Sequence, residues 1–401
     1  MLLARATVST VALLHEPTGE IRWQIEETPS SPSHMEGLCV ALSRDGEAIA
    51  TGGMIQGWKI RRVVCGSERS RAKLGTDKTL SMVDPERIRS IAFSACGKRV
   101  VTGSEGGLIV KWDASTGDAL GMFVDFTVEI RSAVVSLQFS PDGRRLASGN
   151  VGALGCVRVW DDSATGGDDP IIRVTASSWH YQPSLSFMSW SSDGERIYSC
   201  GASLSDHTAM CVFIWEIATG ARIATLAHTN GIFNSVAASS DGSSIAAAGT
   251  DRCVAVWDAG SFHLRFKKDG HHKHTACKCY GAVSENEWVD MEPTKRPYCP
   301  IVGHRDTICS LLFSPCGQRL VSGGDDGHCL VWCASSGELL GEVGRPAGLV
   351  KSLCWVRDYE QIRARRMAFA MGEHERLGAV SAVHWLEAAL VRAILAYGLD
   401  D

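Results

Sequence analysis

Three residues that could together perform acyl transfer lie in the last third of the chain: His304, Ser322 and Asp326. A histidine held between a hydroxyl and a carboxylate is the arrangement that lets a serine oxygen lose its proton and attack a carbonyl. A second chemical cluster, His271, His272, His274, Cys277 and Cys279, offers imidazole and thiol donors of the kind zinc prefers. Its His-x-His and Cys-x-Cys spacings match neither finger nor ribbon patterns, so a solvated loop without metal is the expectation. Gly103 to Gly107 is glycine-rich but falls between two predicted strands. Without a following helix and Lys-Ser/Thr it makes no phosphate loop, and no cofactor is expected. What His304, Ser322 and Asp326 do therefore depends on the elements that hold them.

Those elements are short strands. Thr307 to Phe313, Arg319 to Gly323, Cys329 to Trp332 and Glu338 to Val343 are rich in β-branched, aromatic or leucine residues. Between them stand Ser314-Pro315-Cys316-Gly317, Asp325-Asp326-Gly327 and Ser335-Ser336-Gly337, which are turn residues. Four antiparallel strands of this size bury one face only and must stack on copies of themselves. Copies are present. The first turn recurs at Ser43 to Gly46, Ser94 to Gly97, Ser140 to Gly143, Ser191 to Gly194 and Ser239 to Gly242, with glycine intervals of 51, 46, 51, 48 and 75 residues up to Gly317. The third strand recurs too, and its end is placed at Trp58, Trp112, Trp160, Trp215, Trp257 and Trp332.

In these features the chain resembles the WD-repeat family of β-propellers, over roughly residues 5 to 371. The match is uneven. Asp follows Trp112, Trp160 and Trp257, whereas Lys59, Glu216 and Cys333 stand at the other three places, and at the family's place near the start of a repeat Gly-His survives only as Gly303-His304. The resemblance implies a buried structural network running from Trp through Ser/Thr and His to Asp, matched here by Trp332, Ser322, His304 and Asp326. It turns the apparent triad into a fold-stabilising set. The preceding repeat keeps His228, Asp251 and Trp257 but reads as having Ala248 in the hydroxyl place.

The fold expectation is an all-β, seven-bladed propeller of four-stranded antiparallel blades over residues 1–372, with an inserted loop at 267–302 and a helical tail at 373–401. The closing blade is assigned to both ends, 5–26 and 349–372. Val8 to His15 reads as its third strand, with Leu14 in the Trp place, and Glu20 to Ile25 as its fourth. Leu349 to Val356 and Arg365 to Met371 read as its first and second. The runner-up takes Ala379 to Trp385 for the third, but the spacing of Leu377, Val380, His384, Leu386, Leu390, Ile394 and Tyr397 favours a helix.

Composition narrows the function classes. With 45% apolar residues and a formal charge of −5 over 401 residues, neither nucleic acid nor a membrane is indicated as a direct partner. No apolar run reaches the length of a membrane span, and Met1 to Leu14 lacks the features of a secretory signal. Fifteen scattered cysteines fit reduced thiols, so an intracellular location, cytoplasmic or nuclear, is expected. Arg61-Arg62 and Arg363, Arg365 and Arg366 read as solvated edges.

Insertions concentrate in connections that share one face of the disc: Gly66 to Glu86, Val151 to Gly155, Ala202 to Thr208 and Lys267 to Val302. That face is the expected binding surface for one or more proteins or peptides, with Lys268, His271, Trp288, Tyr298, Asp206 and His207 as candidate contacts. A non-enzymatic scaffold is the functional expectation. A subunit of a ribonucleoprotein or chromatin assembly is the alternative. An enzyme with a central-channel site is disfavoured because runs such as Ile88 to Phe93 and Val134 to Phe139 hold no acidic residue or histidine.

Overall fold

The computed structural model describes residues 2–7, 10–15, 20–26, 39–43, 48–52, 58–62, 75–80, 87–123, 133–150, 156–162, 170–175, 187–202, 210–227, 231–270, 303–343 and 349–356. All of them lie within one compact unit, 1–357. In chain order the strands are β1 (Leu2–Ala6), β2 (Thr10–His15), β3 (Glu20–Glu26), β4 (Cys39–Leu42), β5 (Ala48–Gly52), β6 (Trp58–Arg62) and β7 (Gly75–Leu80). Next come β8 (Ile88–Phe93), β9 (Arg99–Ser104), β10 (Ile109–Asp113), β11 (Ala119–Phe123), β12 (Val134–Phe139), β13 (Arg145–Asn150), β14 (Cys156–Asp161) and β15 (Ile172–Thr175). They are followed by β16 (Met188–Trp190), β17 (Arg196–Ala202), β18 (Met210–Glu216), β19 (Arg222–Ala227), β20 (Phe233–Ala238), β21 (Ser244–Gly249), β22 (Val254–Asp258) and β23 (Leu264–Lys268). The last are β24 (Ile308–Phe313), β25 (Arg319–Gly324), β26 (Cys329–Cys333), β27 (Leu339–Glu342) and β28 (Ser352–Val356).

These strands build an all-β propeller of four-stranded antiparallel blades. Six blades are runs of four consecutive strands, starting at β4, β8, β12, β16, β20 and β24. A further four-stranded sheet is composite, with the order β28-β1-β2-β3. Its second strand differs from expectation. Leu2–Ala6 pairs with Val356 to Ser352 on one side and with His15 to Val11 on the other, so no edge is left there for Arg365 to Met371. Those residues, the runner-up strand Ala379 to Trp385 and the helix expected at 373–401 lie outside the described residues.

The turns form for local reasons. At Ser140 the hydroxyl accepts the Arg145 N–H (2.9 Å) and donates to Asp142 Oδ1 (2.5 Å), while Gly143 takes a positive φ of 71° that an L side chain resists. Ser191 and Ser239 repeat this with Asp193 and Asp241. Second and third strands pair without a break, and their register fixes the Trp position, while the shift beside the Trp is against the fourth strand, as at Lys111/Trp112 and Val331/Trp332. Leu320 faces Trp332, Ile245 faces Trp257 and Ile197 faces Trp215. In the first consecutive blade the residue facing Ile49 is Arg61, while Trp58 pairs instead with Leu80. Trp58 thus opens its strand rather than closing it, and Arg61, not Trp58, stands at the Trp position. Leu14, facing Leu3, holds that position in the composite sheet, as the sequence predicts.

The core lies between blades. One cluster joins Tyr198, Val212 and Ile214 to Val236, Ile245 and Trp257 of the next blade, and another joins Ala246 and Val256 to Leu311, Leu320 and Trp332. Each blade therefore hides the apolar face that its neighbour alone would leave wet.

Candidate functional site

The innermost strands β28, β4, β8, β12, β16, β20 and β24 neighbour one another in that order and surround a channel of about 730 Å³. Polar bonds stitch them across blade boundaries. Ser90 Oγ donates to Val134 O (2.8 Å), Trp190 N–H to Gln138 Oε1 (3.0 Å), and Ala238 N–H to Ser189 Oγ (3.2 Å). Continuing round, Leu311 N–H donates to Ser235 Oγ (3.0 Å) and Leu353 N–H to Ser310 Oγ (3.2 Å). A wall tied this way presents its two faces as fixed platforms, because each bond crosses between separately hydrogen-bonded sheets.

The residues suspected of chemistry sit away from that wall. His304 is fully buried, with Nδ1 2.9 Å from Asp326 Oδ2 and Nε2 2.7 Å from Ser322 Oγ. Trp332 Nε1–H donates to the same hydroxyl at 2.8 Å. With Nδ1–H facing the carboxylate, Nε2 accepts the Ser322 proton, which is the bonding order of a hydrolytic triad. Ser322 has no exposed surface and its oxygen also receives the indole N–H, so the set ties β25, β26 and the turn before β24 together. Burial works against the Asp326 carboxylate, but the His304 bond and the Arg305 and His328 amides outweigh it and hold its pKa below the ordinary range.

Other blades keep parts of this set. Trp112 donates to Thr102 Oγ1 (2.9 Å), Trp160 to Ser148 Oγ (2.9 Å) and Trp215 to Ser199 Oγ (2.8 Å). In the blade of β20 to β23 the hydroxyl place, two residues beyond the partner of the Trp, is Ala247, so the sequence reading of Ala248 is one residue out. Asp251 Oδ1 there accepts the Cys253 N–H (3.1 Å), and Trp257 packs edge-on against Phe233 with centroids 6.3 Å apart. His228 lies outside the described residues. In the composite sheet Arg5, almost wholly buried, takes the hydroxyl place.

Of the candidate contact residues, Lys268 is placed, exposed at the end of β23. His271, Trp288, Tyr298, Asp206 and His207 lie outside the described residues, as do the metal candidates His271, His272, His274, Cys277 and Cys279. The described channel lining holds three charged side chains that sequence reasoning passed over: Arg87, Arg89 and Lys351. No local pattern marks them, because β8 and β28 are brought to one mouth only by closure of the sheets.

The WD domain, G-beta repeat, family model matches residues 78–113, 126–161, 220–258 and 295–333, and each match ends one residue after the Trp of a third strand. The chain is a WD-repeat protein. Among curated relatives, Protein HIR1 of Candida albicans is 34% identical over 92 residues, 23% of this chain and 10% of that protein. Eukaryotic translation initiation factor 3 subunit I of Culex quinquefasciatus is 23% identical over 265 residues, 58% of this chain and 76% of its own. Cell division cycle 20.1, cofactor of APC complex, of Arabidopsis thaliana is 28% identical over 170 residues, 37% and 36% respectively. This WD-repeat chain therefore spans a tenth of the first relative, about a third of the third and about three quarters of the second.

Proposed function

We propose that the chain is a non-enzymatic scaffold that holds one or more proteins on the face carrying the longest connections between strands. In this reading the six consecutive blades and the composite sheet are the seven blades of one closed ring. The observation that carries it is the stitching of the inner strands from Ser90 to Leu353, which makes a stiff platform for variable loops. Two relatives bear names that place them in assemblies, one a translation initiation factor subunit and one a cofactor of the APC complex. The contacts assigned to this face are Lys268, His271, Trp288, Tyr298, Asp206 and His207. An intracellular location belongs to the same proposal, and ten cysteines whose side chains are described, all free thiols, are in keeping with it.

The test is affinity purification of the intact protein beside a form lacking Gly270 to Pro297, with mass spectrometry of what is retained. Loss of a defined protein set from the shortened form is the expected result. Retention of the same set by both forms would move the binding surface elsewhere and sink this assignment.

A further inference from the structure

The charged side chains in the described lining of the channel are all cations. That lining holds Arg87, Arg89 and Lys351 but no Asp, Glu or His. Arg87 and Arg89 stand at the N-terminal end of β8, and Lys351 directly precedes β28, so all three occur where inner strands enter from the loop-bearing face. Only β4 separates β8 from β28 in the order of neighbouring inner strands. The three cations therefore form one arc of a single mouth.

Each cation has a carboxylate nearby. Arg87 Nε and an Arg89 terminal nitrogen lie 3.4 and 3.6 Å from Glu105, and Lys351 Nζ lies 2.5 Å from Asp325. Glu105 is 47% exposed, so its long contacts are screened by water and readily exchanged. Burial opposes the Lys351 charge, but Asp325 and the Cys309 sulfur outweigh it and raise its pKa, which keeps the ammonium intact. Deeper in the channel, Ser235 and Ser310 accept backbone N–H groups and so retain their own hydroxyl protons for donation.

We propose that this arc receives the carboxylates of an acidic segment of a partner protein, whose Asp or Glu side chains displace Glu105 from Arg87 and Arg89 and reach Lys351. The inference rests on the scaffold reading and supplies the chemistry of its partner. A volume of about 730 Å³ accepts side chains of an extended segment and excludes a folded domain.

The experiment uses the full chain and labelled twelve-residue peptides, (Glu-Gly-Ser)4 and its glutamine counterpart, in fluorescence anisotropy at low and high salt. Binding of the glutamate peptide at least about tenfold tighter than the glutamine peptide is expected, weakening as salt rises. Arg89→Glu and the milder Arg89→Gln and Lys351→Gln should each weaken it, the charge reversal by about tenfold or more. Arg144→Glu, exposed on the opposite face, should change it less than about twofold. Circular dichroism of each variant separates lost binding from lost folding. Equal binding of both peptides, equal loss with Arg144→Glu, or binding of inorganic phosphate without binding of the glutamate peptide would each overturn the proposal. If the deletion of Gly270 to Pro297 loses its partners while the peptides show no charge preference, the acidic-segment inference falls and the scaffold reading stands. If the peptides discriminate and the intact protein retains no partner, the arc stands and the scaffold reading falls.

Discussion

His304 Nδ1 lies 2.9 Å from Asp326 Oδ2, and the same carboxylate receives the backbone N–H groups of Arg305 and His328. One side chain thus satisfies three donors at the start of β24 and at the turn before β26. Asp326→Ala strands them and is expected to cost about 2 to 4 kcal/mol. Asp251→Ala, in a blade with Ala247 in the hydroxyl place, is expected to cost less. Chemical denaturation of the two variants decides it, and equal losses would refute the comparison.

The same carboxylate makes a pH prediction. Its folded pKa is depressed, so its contribution is complete above the unfolded value of about 4 and is lost as pH falls through the folded value. The stability gap between wild type and Asp326→Ala should be constant from about pH 8 to pH 5 and should narrow below about pH 4. A gap that already shrinks between pH 7 and pH 5 would point to a different titrating group.

Asp162 is nearly inaccessible and joins two blades. Its carboxylate lies 2.6 Å from Arg99 and 3.3 Å from Lys111, and its carbonyl accepts from Lys111 Nζ at 2.7 Å. Asp162→Ala removes the carboxylate beside both cations, of which Lys111 is interior, and should cost about 3 to 5 kcal/mol. Glu195→Ala removes the exposed pair with Arg145 and should stay within about 0.5 kcal/mol of wild type. Thermal unfolding of both measures the contrast.

Gly103 and Gly149 hold the same place in adjacent blades but have different neighbours. A Cβ on Gly103 would come within 2.6 Å of Ser90 Oγ and Val134 Cγ1, whereas on Gly149 its nearest contact is an ordinary 3.5 Å. Gly103→Ala should therefore destabilise by about 1 to 3 kcal/mol. Gly149→Ala should fall within about 1 kcal/mol of wild type, because the less flexible unfolded chain offsets small packing costs. The reverse ranking would show that the contact between β9 and β12 is softer than its geometry implies.

Among the described cysteines, Cys333 should react first. Hydrogen bonds from Ser335 and Ser336 pull its thiol down to about 6, while burial pushes Cys200 and Cys329 up to about 12. Iodoacetamide at pH 7 with peptide mapping should label Cys333 well before those two. Comparable rates would contradict the assigned hydrogen bonds.

Much was legible in the sequence because it is local. Ser-x-Asp-Gly turns, strand-forming runs and a recurrent Trp are each set within a few residues, so the four-stranded unit, its copies and the His304–Ser322–Asp326–Trp332 network could be read in order. The closing sheet was half legible: Leu14 was placed correctly, but Leu2–Ala6 is a second strand by virtue of pairing with Ser352 to Val356, a partner remote in sequence that no local pattern announces. Register was not legible where residue type misled. Trp58 looks like the recurrent Trp, yet hydrogen bonding between β5 and β6 gives that place to Arg61, and Ala247 rather than Ala248 lies in line with Ser322.

The chain's own sequence determined its strands, turns and repeat, since backbone preference and side-chain alternation act between near neighbours. Tertiary structure decided which residues meet across blades, Asp162 with Arg99 and Lys111 and Ser90 with Val134, and it placed Arg87, Arg89 and Lys351 in the lining of one channel. Those meetings depend on how the sheets close upon one another, and that closure is fixed by the apolar faces buried between them rather than by any single stretch of residues.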